Sequence, residues 1–120
     1  MTTNPTPTTE DETPSEVRKA RRVISDERLI AFLRAARGDD SVLAITVVNK
    51  QLDEGASLDE IFFTGEREGY QLSAARMAES TFEISFGCQA GPLAGDGGEW
   101  RVVFVGDAVQ AFLGGTYWMS

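Results

Sequence analysis

The hydrophobic period of this chain changes once, near Ser80, and that change limits the fold more than any other feature. Before Ser80 apolar residues recur at helical spacing: Leu29, Phe32, Leu33 and Ala36, then Leu58, Ile61 and Phe62. Each set makes one stripe on a 3.6-residue helix. After Ser80 the period is two. Phe82, Ile84 and Phe86 share one side of a strand, and Trp100, Val102 and Phe104 repeat the pattern. Helices followed by strands imply an α+β fold: a small helical unit, then an antiparallel β-meander in the C-terminal third. At 120 residues there is room for one compact domain at most. We divide it into a disordered tail at 1–16, a helical region at 17–80 and a strand-rich segment at 81–120.

Local signals place the elements. Ser25 is an N-cap ahead of Asp26 and Glu27, which suit the positive end of a helix dipole, and Gly38 stands where that helix should stop. Ser57 and Glu60 form a capping box ahead of Leu58, Ile61 and Phe62. Gly69 closes that short helix, Tyr70 and Leu72 fold back as apolar anchors, and Ser73 restarts a second short helix through Met77. Residues 42–48 are ambiguous. Asp39, Asp40 or Ser41 can cap a helix there, yet five β-branched residues favour a buried strand equally; the helical neighbours lead us to read a helix. Arg18, Lys19, Arg21 and Arg22 read as a solvated first turn or linker, or as a docking patch for an acidic partner. Gly87–Gly98, with five of the 12 glycines, reads as a loop, and Gly106-Asp107 as a turn into a third run, Val109–Trp118, interrupted at Gly114-Gly115.

Composition excludes more than it suggests. The chain has no histidine and one cysteine, so Ser-His and Cys-His nucleophile pairs, the usual nitrogen ligand for zinc, a thiolate cluster and an internal disulfide framework are all ruled out. Carboxylates alone remain for acid–base work, and none sits in a recognisable motif. We therefore expect no enzyme, no metal and no cofactor. Asp and Glu number 19 against 11 Lys and Arg, a net charge of −8, which repels phosphate backbones; nucleic acid is not an expected partner. No stretch is long and apolar enough to cross a bilayer, and the N-terminus lacks a secretory signal, so no membrane association and a cytoplasmic location are expected.

Residues 25–80 resemble the nif-type leader domain of ribosomally synthesised, post-translationally modified peptide precursors. The resemblance lies in Glu60-Ile61, Gly69-Tyr70, Leu72-Ser73 and Met77, preceded by Ser25-Asp26-Glu27 and the Leu29, Phe32, Leu33 helix. Three features depart from the family: the β-branched run at 42–48, Arg76 where an acidic residue is usual, and a C-terminal part unlike a Cys- and Ser/Thr-rich product. The resemblance implies a precursor whose leader is gripped by a protein partner, a tailoring enzyme or a peptidase-transporter, through Leu29, Phe32, Leu33, Ile61, Gly69, Tyr70, Leu72 and Met77. It also marks Gly97-Gly98 as a double-glycine cleavage site and Cys88, beside Ser80, Thr81 and Ser85, as a modification site. Simpler uses compete: a glycine pair in an ordinary loop, a small buried thiol, apolar stripes that are core. The alternative function is a non-catalytic small α+β binding or adaptor protein, in which strands 81–118 complete one core with the helices.

Overall fold

A computed structural model describes residues 16–37, 42–63, 70–88 and 93–118, with the side chains of residues 63, 117 and 118 left aside. The fold is α+β. Helices α1 (Glu16–Val23), α2 (Asp26–Ala36) and α3 (Leu43–Asp53) are followed by one π-helical turn, Asp59–Phe63. Four strands come next: β1 (Tyr70–Arg76), β2 (Thr81–Cys88), β3 (Asp96–Val105) and β4 (Ala108–Trp118). The sheet is an antiparallel meander in the order β1-β2-β3-β4.

Local contacts start α2 and the π-turn and end α3. The Arg28 N–H donates to Ser25 Oγ at 3.2 Å, and Asp26 and Glu27 follow in the first turn. The capping box is reciprocal: Glu60 N–H donates to Ser57 Oγ at 3.1 Å, and Ser57 N–H to Glu60 Oε1 at 2.8 Å. Helix α3 closes in a Schellman motif, with Ala56 N–H on Gln51 O and Gly55 N–H on Leu52 O. Gly55 sits there at φ +96°, where a side chain would be strained. Gly106, at φ +60°, leads the two-residue turn between Val105 and Ala108; no non-glycine residue described has positive φ, so this is the type II′ pattern.

Side-chain alternation decides which face of the sheet is covered. Phe82, Ile84 and Phe86 of β2 and Trp100, Val102 and Phe104 of β3 are buried with α2 and α3 residues Leu29, Phe32, Leu33, Ile45 and Val48 in one core. Phe32 meets the Trp100 ring edge-on at 5.1 Å between centroids. Each fully buried large side chain contributes about 1.5–3 kcal/mol relative to exposure. An exposed ion pair contributes about 0–1 kcal/mol, so this layer, not the surface, holds the fold. The opposite face carries Glu83, Ser85, Glu99 and Arg101, joined by Ser85 Oγ–Glu99 at 3.1 Å and Arg101–Glu83 at 3.3 Å.

Several sequence expectations are corrected. Tyr70–Arg76 is a strand paired with Cys88–Phe82, not a restarted helix; the helical region therefore ends before residue 70. Backbone pairing along β2 overrides the local helical preference of its alanines. Gly87–Gly98 is not one loop. Gly87 and Cys88 end β2, while Gly97 and Gly98 lie in β3 with partners on both sides. The basic stretch is helical and not a linker: Lys19 and Arg22 are exposed, while α1 buries Val17 and Ala20 and packs on β1. Strand β4 runs through Gly114-Gly115 without interruption. Residues 43–48 belong to α3, with Val42 at its N-cap, as the helical neighbours suggested. Of the expected tail at 1–16, Glu16 opens α1 and residues 1–15 lie outside the described residues, as do Gly38 to Ser41 and Gly69.

Candidate functional site

The residues singled out in the sequence are mostly committed to the core. Leu29, Phe32, Leu33, Ile61, Tyr70 and Leu72 are all buried, Tyr70 the least so at 8% exposed. Tyr70, Phe62 and Phe86 form an aromatic triad with centroids 6.0–6.3 Å apart. This joins the π-turn and β1, both within the leader-like region, to β2 of the C-terminal segment. Among the described anchors Met77 alone stands outside, half exposed just beyond β1. Cys88 is buried at the end of β2. Gly97 and Gly98 are buried as well, facing Gly87 and Phe86 across one ladder and Trp118 and Tyr117 across the other. A peptidase would have to open two strand pairings to reach that peptide bond.

Two polar clusters that the sequence did not announce organise the helical layer. Arg21 of α1 donates from Nε and Nη2 to Asp26 at 2.9 and 2.6 Å and from Nη1 to Asp59. The hydrogen bond to Asp26 raises its pKa, partial burial opposes this, and Asp59 adds to the rise. On α2 and α3, buried Asn49 donates to Leu33 O at 2.8 Å and Ile45 O at 3.0 Å, and accepts from Arg34 at 3.1 Å. Both clusters join elements of this chain to one another, which is structural work.

The surface offers little for chemistry. Open clefts of about 300, 330 and 160 Å³ lie on β1–β2, beside the α3 terminus and across β3–β4. None encloses a small molecule as a ligand pocket does. Among the described residues no group of three or more His, Cys, Asp or Glu side chains is placed to hold a metal. No described helix is long and apolar enough to cross a membrane.

What stands out is β4. It is the last strand of the sheet, and among the described residues nothing pairs with its outer edge. Its register against β3 slips twice, leaving Gln110 and Leu113 as bulged residues between the pairs Phe104–Val109, Val103–Ala111, Val102–Phe112 and Arg101–Gly114. Leu113 is 62% exposed and Phe112 38%, although the Phe112 ring still meets Phe32 edge-on at 6.3 Å. A signal for this site was present in the sequence: residues 108–120 contain no charged side chain.

Compared with protein-family models, with curated proteins and with solved structures, the chain matches none. The likeness to a nif-type leader therefore rests on the residues quoted for it.

Proposed function

We propose that this chain is a non-catalytic α+β adaptor that binds a protein partner through the uncovered side of its sheet. The observation that carries this reading is the Phe32–Trp100 contact at 5.1 Å. It welds the leader-like helix to the C-terminal strands in one interior. A precursor needs its leader stripe available to an enzyme and its product segment able to enter an active site or channel. Here the stripe is buried and the segment is its cover, so either use would first cost the core. The outer face offers what an adaptor needs, a row of polar side chains that no described element covers.

The test is to isolate the chain from its native host after mild crosslinking and to measure intact mass and bound protein together. An adaptor shows the encoded mass, apart from initiator methionine, with a protein partner in fixed ratio. Loss of water from Ser or Thr, or a cut after Gly98, would overturn the reading in favour of a precursor. An unmodified chain without any partner would overturn it too.

A further inference from the structure

We infer that β4 is a self-pairing edge: two copies of this chain join antiparallel through β4, about a twofold axis near Leu113, into one eight-stranded sheet. The inference goes beyond the adaptor reading and stands on a different observation, the inequality of the two sheet edges.

At one side of the sheet, α1 lies along β1. At the other, β4 presents 11 residues of edge, about 36 Å of strand at 3.3 Å per residue. Unpaired edges are usually blunted by charge, by proline, by shortness or by bulges, and β4 has bulges at Gln110 and Leu113. This one has no charged residue, no proline and ample length. It is the only one of the four strands without a charge: β1 carries Arg76, β2 Glu83, and β3 Asp96, Glu99 and Arg101.

The missing charge is informative because the molecule is acidic. Two copies at −8 each repel wherever their carboxylates approach. In a twofold antiparallel pairing residue i meets j and j meets i, and a residue on the axis meets its own twin. A charged side chain near the middle of β4 would be set against a like charge. An uncharged strand avoids this, and its midpoint is Leu113, the most exposed large apolar side chain described. Pairing would cover Leu113 and Phe112 in both copies and supply partners for the idle N–H and C=O groups. Assembly then stops at two, since the remaining edges are both β1 with α1 alongside.

Sedimentation velocity of the full chain at about 50 μM tests this. The wild type should sediment as a dimer. Leu113→Lys and, separately, Thr116→Lys, both at exposed positions of β4, should weaken dimerisation at least about tenfold while the far-ultraviolet circular dichroism stays unchanged. Met77→Lys, exposed beyond β1, should leave the dimer intact. A monomeric wild type, or a dimer indifferent to both β4 substitutions, would overturn self-pairing. A monomer that still binds a partner protein through the uncovered face would also overturn it, yet would leave the adaptor reading in place.

Discussion

The carboxylate of Asp96, the first residue of β3, accepts the backbone N–H of Ala44 at 2.9 Å and so caps helix α3 from 52 residues away. The helix needs it, because its N-cap position is Val42, whose side chain cannot accept a hydrogen bond. Asp96 is itself buried, and its negative charge faces the positive end of the helix dipole.

Asp96→Ala should therefore destabilise the protein by about 2 kcal/mol, as expected for a buried N–H that loses a charged acceptor. Asp96→Asn keeps an acceptor oxygen and should cost less. Urea unfolding of both variants checks the order. Equal effects would show that the hydrogen bond to Ala44 is not what Asp96 contributes.

Phe32 lies at the centre of the interior, fully buried between Trp100 and Phe112. Truncation to alanine should cost about 3–5 kcal/mol. Against a typical stability of about 5–15 kcal/mol, that leaves a marginal fold. Thermal unfolding of Phe32→Ala and of Ile30→Ala, a half-exposed neighbour on the same helix, should differ by several-fold in free energy. A mild Phe32→Ala phenotype would contradict the helix–sheet interface.

Arg21 ties α1 to Asp26 and Asp59 at a partly exposed position. Its pKa is raised on folding, first by the bond to Asp26. A raised folded value means that its contribution is complete at every pH below the ordinary arginine range and is lost only as pH climbs through the folded value. Arg21→Met should thus cost about 1 kcal/mol, the same at neutral pH and at mildly alkaline pH, and less in about 1 M salt, which screens exposed charges. A penalty that grows with salt would contradict the ion-pair assignment.

Cys88 is 5% exposed within the core. A thiol reagent should label it slowly in the native protein and rapidly in urea, with the native rate set by opening of the structure. Labelling at the unfolded rate under native conditions would show that the β2 terminus is not packed as described.

Much of the fold was legible where one short-range signal acted alone. Ser25 and the Ser57–Glu60 pair cap as expected because a cap needs only its own three following residues. Phe82, Ile84 and Phe86 alternate because β2 is half-buried along its whole length. The failures are places where distant chain decides. Ala74, Ala75, Met77 and Ala78 favour a helix locally, yet the ladder to β2 draws Tyr70–Arg76 into the sheet. Gly97 and Gly98 are poor strand formers, but neighbours on both sides hold them extended. The local candidates to cap α3, Asp39, Asp40 and Ser41, lie outside the described residues, and the Ala44 N–H finds its acceptor in Asp96, which no local pattern reveals. At the candidate site, the anchors Leu29, Phe32 and Leu33 were found by their periodicity, but periodicity alone does not tell a core stripe from a docking stripe. The β4 edge went unread because it is marked by what it lacks.

Native-state amide exchange tests the single shared core most directly. If helices and strands form one cooperative unit, the amides of Leu33 and Val48 and those of Ile84, Trp100 and Val102 should exchange only through global unfolding, with one common free energy. Strong protection in the helices together with exchange at the unfolded rate through 81–88 and 96–105 would contradict it, and would describe a mobile segment attached to an independent helical unit.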